Sequence, residues 1–219
     1  MNPEDVLKEI AEQTNVCTHC KLHYSRKNGV PGSGNPHSKI LFIGEAPGFH
    51  ENQKGIPFVG AAGKFLDELL DAIQLKREDV FITNVVKCRP PSNRDPDTEE
   101  LEACRPYLDR QIAAINPTVI VTLGRISMGY FIQNGKISSI HGGTFWSNGR
   151  MIIPMYHPAA ALHQPSLREV VKADFLKLPD LIKKARENRQ DDPAATEVVD
   201  IEQENQPLSA NNAQQLSLF

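Results

Sequence analysis

Four apolar runs set the limits on what this chain can fold into. They are residues 39–44 (KILFIG), 79–84 (DVFITN), 118–124 (TVIVTLG) and 150–156 (RMIIPMY). Each is short for a helix, and none alternates apolar with polar residues as a strand with one wet face does. Runs of this kind are strands buried on both faces, the pattern of a mostly parallel sheet. Between them the apolar spacing is helical. Residues 3–14 place Val6, Leu7 and Ile10 on one face, and residues 61–74 do the same with Phe65, Leu66, Leu69, Leu70 and Ile73. Further helices are expected over 97–115 with Thr98 as N-cap, over 125–133, and over 166–186. In the last, Ser166 and Glu169 read as a capping box. Strands alternating with helices predict an α/β fold, a three-layer αβα sandwich around a mostly parallel four-stranded sheet.

Such sheets bind ligands beyond the C-terminal ends of their strands. The polar chemistry of this chain gathers there. Gly44-Glu45-Ala46-Pro47-Gly48 follows the first run. Asn84 ends the second, with Lys87-Cys88-Arg89-Pro90-Pro91 just beyond, and His157-Pro158 follows the fourth. Asn84 offers a donor and an acceptor together, enough to read the N3–H and O4 edge of a pyrimidine; as a turn residue it would do neither. Phe58, in a polar glycine-bearing loop, suits either a stacking platform for a base or an anchor in the core. His157 is the one histidine of seven at a strand end on this rim. Gly63-Lys64 resembles the end of a phosphate-binding loop, but Phe58 and Phe65 occupy the places where glycine and Ser/Thr are required.

Four cysteines, at 17, 20, 88 and 104, form a C-x2-C pair and a widely split second pair. Disulfides do not suit a cytosolic chain. The donor set suits a tetrahedral zinc or a cubane iron–sulfur cluster, and the spacing does not choose between them. Four buried structural thiols are the remaining reading. His19 and His23 flank the pair as further ligands or as surface residues.

At 219 residues, 40% hydrophobic and 23% charged, the chain is neither a collagen-like fibre nor wholly disordered. No apolar run is long enough to span a bilayer, and the acidic N-terminus is no signal peptide. A cytoplasmic, monomeric protein is expected. The composition changes near residue 188. Of 24 basic and 27 acidic residues, two and seven fall in 186–219, which leaves the body with 22 and 20. The net charge of −3 therefore does not exclude a nucleic-acid partner. The expected division is a domain over 1–187 and a disordered acidic tail over 188–219.

In order along the chain, the C-x2-C pair, GEAPG, GIPFVG, TNVVKCRPP, a fourth cysteine on the next helix and HPAAAL resemble the family 4 uracil-DNA glycosylases. The resemblance covers roughly residues 5–180. It implies the uracil-DNA glycosylase-like sandwich and a 4Fe–4S cluster on Cys17, Cys20, Cys88 and Cys104. It also implies excision of uracil from DNA, the base being flipped into a pocket. In that reading Phe58 stacks on uracil, Asn84 binds its Watson–Crick edge, the backbone at Glu45 and Ala46 holds the O2 side, and His157 stabilises the departing anion. In the wider superfamily an aspartate activates water at the position of Ala46; here Glu45, Glu51 and Asn93 are the candidates to share that role. The segment with Ser166, Leu167 and Arg168 would meet DNA, Leu167 as a wedge and Arg168 at a phosphate. The competing reading is an iron–sulfur protein that binds DNA or transfers electrons, which needs none of Phe58, Asn84 and His157.

The chain ends Gln215-Leu216-Ser217-Leu218-Phe219. This resembles the bacterial sliding-clamp-binding pentapeptide. The apolar side chains would fill a pocket on the clamp while Gln215 supplies hydrogen bonds.

Overall fold

The computed structural model describes residues 2–190. Helix α1 (Pro3–Val16) starts where Asn2 accepts a hydrogen bond from the Glu4 N–H and Pro3 takes the first turn. Strand β1 (Ser33–Gly34) is followed by β2 (Ile40–Gly44), α2 (Phe49–Lys54), α3 (Ala61–Ala72) and β3 (Phe81–Asn84). Next come α4 (Thr98–Ile115), β4 (Val119–Leu123), α5 (Arg125–Gly129), α6 (Ile137–Ile140), β5 (Phe145–Ser147) and β6 (Arg150–Met155). Helices α7 (Pro158–His163), α8 (Ser166–Leu176) and α9 (Leu178–Gln190) close the described chain.

The sheet has six strands in the order β1-β3-β2-β4-β6-β5. The four expected strands are its parallel centre, and β1 and β5 add antiparallel edges. Four strands was thus an undercount. The edges are two and three residues long, too short to carry a hydrophobic pattern. A signal for β5 was nonetheless present. Asn148-Gly149 joins β5 to β6 with both residues at positive φ, the two-residue hairpin turn that this dipeptide favours.

Alternation along each central strand divides two cores. Ile40, Phe42, Val121 and Ile153 face one layer with Leu66, Leu69, Val171 and Phe175. Leu41, Ile43, Ile120 and Ile152 face the other with Leu108, Ile112 and Ile115 of α4. A third cluster joins α1 to α4 through Val6, Ile10, Leu22, Val86, Cys88, Cys104 and Tyr107.

Two expected helix features are corrected. The N-cap of α4 is Asp97 rather than Thr98; Asp97 accepts from the Glu100 N–H while the Glu100 carboxylate accepts from the Asp97 N–H. The expected helix over 166–186 is two helices broken at Lys177. Pro179 has no N–H to continue the ladder. Ser166 does not cap α8, which begins from Pro165 without a side-chain bond, and Glu169 pairs with Lys172.

Helix α3 rests directly on the loop before it. A Cβ added to Gly63 would lie 1.8 Å from the Phe58 carbonyl oxygen. Gly→Ala inside a helix ordinarily gains up to about 1 kcal/mol. Here backbone must move instead, so Gly63→Ala should lower stability by about 1–3 kcal/mol, read from the denaturant midpoint. Gly129→Ala is the control, since a Cβ there meets nothing within 4 Å. Equal midpoints for the two variants would contradict the tight approach.

Candidate active site

Parallel register puts the ends of β2 and β3 side by side, with Gly44 opposite Asn84. Beyond these ends opens a cavity of about 410 Å³. Its lining includes Glu45, Ala46, Glu51, Phe58, Asn84, Asn93 and His157. The structure therefore brings together seven residues from four separate stretches of sequence. Arg94 and His163 also line the cavity. Neither residue is marked by the sequence as part of this rim. Arg94 gave no signal, because its position depends on how the loop after Cys88 turns.

Gly44 lets the key groups meet. A Cβ there would lie 2.4 Å from Asn84 Oδ1 and 2.7 Å from the Phe58 ring. Asn84 is 1% exposed. Its backbone carbonyl accepts from Lys87 Nζ at 2.6 Å, but its side-chain Oδ1 is buried without a partner among the described residues. An orphaned buried acceptor costs about 1–3 kcal/mol. It is tolerated at sites where a ligand supplies the donor.

Phe58 belongs both to the core and to the cavity wall. It is 5% exposed, sits at φ 52°, and its ring centroid lies 5.5 Å from that of His157, tilted by 27°. Positive φ is unusual for an aromatic residue and must be held by its surroundings. Glu51 supports the same loop. Its Oε1 accepts from the N–H groups of Val59 and Gly60, both at 2.8 Å.

His157 caps α7. Its Nδ1 accepts from the Ala159 N–H at 3.1 Å. A backbone amide can only donate, so Nδ1 carries a lone pair and the ring proton of the neutral imidazole is on Nε2. Burial lowers its pKa from the ordinary 6.5 to about 4, opposed by the nearby Glu51 carboxylate. Burial raises the Glu45 carboxyl above its usual range; Asp95 adds to this and Arg125 opposes it. Asn93 is at positive φ and its Oδ1 accepts from Arg89 Nε at 2.8 Å. The loop that carries Asn93 is fixed by Arg94, which makes two hydrogen bonds to the fully buried Glu100.

Cys17, Cys20, Cys88 and Cys104 line a second, smaller cavity between α1, α4 and the loop after β3. Burial raises the thiol pKa values of Cys20 and Cys88, and pushes that of Cys104 to about 12. A metal centre bound there would hold its cysteine ligands as thiolates. Among the described residues, no three His, Cys, Asp or Glu groups converge on a point that suits one metal ion. Four cysteines around one cavity are a donor set that fits a cubane iron–sulfur cluster or a tetrahedral zinc. His19 stacks on Tyr107, and a ring nitrogen of His23 is 2.7 Å from the Cys20 carbonyl.

Ser166, Leu167 and Arg168 lie in the first turn of α8, outside the lining of the large cavity. Leu167 packs in part against the core. Arg168 pairs with Glu68 at 2.6 Å and lies over the Phe65 ring.

The fold agrees with comparisons to known proteins. Residues 31–183 match the family model of the uracil DNA glycosylase superfamily. The type-4 uracil-DNA glycosylase of Sulfurisphaera tokodaii is 48% identical over 187 residues, 81% of this chain and 85% of that protein. The Archaeoglobus fulgidus enzyme of the same name is 48% identical over 81% of this chain and 92% of its own length. The Thermotoga maritima enzyme is 44% identical over 83% and 97%. The chain belongs to the type-4 uracil-DNA glycosylase family. No helix among the described residues is long and apolar enough to cross a membrane.

The histidine geometry has a consequence in pH. An unfolded chain takes up a proton at this ring near 6.5, the folded one only near 4. The stability contributed by the neutral ring is therefore complete above 6.5 and is lost as pH falls from 6.5 towards 4. Imidazole NMR should show the Nε2–H tautomer of His157 and no protonation at pH 5.5. A midpoint near 6.5 would contradict the buried, capped ring.

Proposed function

We propose that this chain hydrolyses the N-glycosidic bond of deoxyuridine in DNA and so begins base excision repair. The observation that carries the reading is the buried, unpartnered Oδ1 of Asn84 in a cavity shared with Phe58 and His157. The bond is out of reach inside a duplex, so the nucleotide would leave the stack and enter this cavity. Asn84 Oδ1 would accept the N3–H of uracil and its amide would donate to O4. Phe58 would stack on the base. Binding DNA without chemistry, or transferring electrons, requires none of these groups.

The transition state would be oxocarbenium-like, with negative charge moving onto the departing base. His157 Nε2–H would donate to O2 as that charge appears, and the Glu45–Ala46 backbone would hold the same side of the base. A preorganised neutral donor stabilises the anion without a proton transfer. Ala46 offers no carboxylate to activate water. Glu45, whose raised pKa makes it the stronger base, would take that role, with Asn93 orienting the water. Glu51 would keep the Phe58 loop in place through one oxygen and face the site with the other. Ser166, Leu167 and Arg168 would meet the DNA strand beside the flipped base; as a wedge, Leu167 would have to leave the core.

Cys17, Cys20, Cys88 and Cys104 would hold a 4Fe–4S cluster. Bound, the cluster would supply four iron–thiolate links joining the N-terminal segment, the loop after β3 and α4. Of the expected tail, 188–190 are the last residues of α9 rather than disordered, and 191–219 fall outside the described residues. The Thermotoga relative is matched over 97% of its length by 83% of this chain, so this chain carries additional sequence. Gln215, Leu216, Ser217, Leu218 and Phe219 would bind the bacterial sliding clamp. The 24 residues of 191–214 would act as a tether of about 24–29 Å root-mean-square length. The body would then search DNA while held near the replication machinery, at a raised local concentration.

A uracil-containing oligonucleotide, incubated with protein and cleaved by alkali, tests the activity. His157→Ala should lower single-turnover excision on the order of 10²-fold while DNA affinity changes little. Equal losses in both would make His157 a binding residue. Purified protein should be brown, absorbing near roughly 400 nm, with Cys88 replacements losing both colour and thermal stability. One zinc and no iron would overturn the cluster. Removing residues 215–219 should leave excision on a short oligonucleotide unchanged and abolish retention on immobilised bacterial clamp. Undiminished retention would refute the tail reading.

A further inference from the structure

Phe58 raises a mechanical question. Its ring must present a face to the cavity from a backbone conformation that non-glycine residues rarely adopt. The loop before it contains Gly55, Ile56 and Pro57, and α3 begins immediately after Gly60. Glu51 secures the amide side of this loop at Val59 and Gly60. The carbonyl side is secured from elsewhere in the chain.

Arg77 lies in the single 3-10 turn Arg77–Asp79 between α3 and β3, outside the lining of the cavity. Its guanidinium donates to the Phe58 carbonyl, to the Pro57 carbonyl at 3.1 Å and, more distantly, to the Gly63 carbonyl at 3.4 Å. Its Nε donates to Asp67 Oδ1 of α3 at 2.5 Å. One rigid fork of donors therefore gathers two consecutive carbonyls of the strained loop and one from the helix that Gly63 presses against it. The Asp67 contact fixes the fork to α3. Lysine could match the charge but not this set of directions.

We infer that Arg77 is a positioning residue for uracil excision: clamped by Asp67, it locks the Phe58 backbone so that the ring stays in stacking position. The inference rests on the proposed role of Phe58 as the uracil platform. Arg77 lies outside the lining of the cavity, so it acts on excision through the Phe58 loop.

The test is a double-mutant cycle on the full chain. Single-turnover excision, inhibition by free uracil, DNA affinity and melting temperature are measured for wild type, Arg77→Ala, Phe58→Ala and the double variant. Arg77→Ala should lower the excision rate on the order of 10-fold and weaken inhibition by free uracil in parallel, with DNA affinity within about twofold. In the Phe58→Ala background the same substitution should change neither quantity by more than about twofold. A full additive loss in that background, or wild-type kinetics for Arg77→Ala, overturns the inference while leaving the stacking role intact. Undiminished excision and uracil inhibition by Phe58→Ala overturns the stacking role itself, and the inference with it. Should Arg77→Ala fail to fold, Arg77→Lys and Asp67→Asn carry the cycle. Each should show a smaller loss of the same kind that vanishes without the Phe58 ring; a loss that persists without the ring overturns the inference.

Discussion

A single buried ammonium ties the two halves of this molecule together. Lys87 is 1% exposed, and its Nζ donates to Thr83 Oγ1 at 2.8 Å, the Asn84 carbonyl at 2.6 Å and Gln111 Oε1 at 2.7 Å. Burial lowers its pKa to about 7. Three acceptors for three donors is the full complement of the group, which is what makes such burial tolerable. Gln111 in turn donates to the Pro31 carbonyl at 2.6 Å, and the Lys87 backbone N–H donates to Cys104 Sγ at 3.2 Å. The end of β3, helix α4, the segment before β1 and the cysteine cluster are all joined through Lys87 and its partner Gln111. Asn84 is three residues before it and Cys88 one after, so an amide lining the large cavity and one of the four clustered thiols are set by the same network.

That dependence explains which parts were legible in the sequence. The central strands were readable because residues such as Leu41, Ile43, Val119 and Ile153 are buried on both faces and leave an unbroken apolar signal. The rim was readable because parallel register places the residues after each strand together, so Gly44, Asn84 and His157 announced themselves by position. Lys87 was not readable. A lysine between a valine and a cysteine looks like a solvated loop residue, and only the fold shows that its three partners come from β3 and α4. His141 was equally silent: its ring nitrogen lies 2.6 Å from the buried Asp174 and its ring packs on Tyr156, a tertiary pairing across 33 residues. The broken helix at Lys177 and the Asp97 cap are errors of a different kind. Both signals, Pro179 and Asp97, were in the sequence, and the apolar periodicity masked one while a neighbouring Thr masked the other.

Strain in the site is concentrated on its loops and carried by neighbours of ordinary geometry. Phe58, Ser92 and Asn93 all adopt positive φ, and all belong to segments that border the cavity. Each is held from two sides. Glu51 and Arg77 grip the Phe58 loop at its amides and its carbonyls. The Pro91–Asn93 turn is held by Arg89, which donates to Asn93 Oδ1, and by the Arg94 N–H on the Pro91 carbonyl; Arg94 is anchored in turn by Glu100, which also closes the capping box of α4. A carboxylate that is fully buried yet bonded to a guanidinium and a backbone amide is stable only in that arrangement. The geometry of the rim is therefore inherited from the start of α4, whose later turn carries Cys104.

The electrostatic plan of the cavity follows from the same economy of charge. A protonated histidine would bind an anionic leaving group more strongly, but burial makes it costly, and the amide of Ala159 occupies the nitrogen that would need the second proton. A neutral donor held in place needs no reorganisation when charge arrives on the base. In the proposed reading, Asn84 meets the other edge of the base. Its unpartnered oxygen offers no gain to a water-filled pocket that rejects a ligand, and full compensation to one that accepts a planar N–H donor. The sheet supplies both groups from strand ends fixed by backbone ladders, whereas the aromatic surface between them comes from a loop. A mobile loop would blur the proposed stacking geometry, and here side chains hold the Phe58 loop from its amide side (Glu51) and its carbonyl side (Arg77).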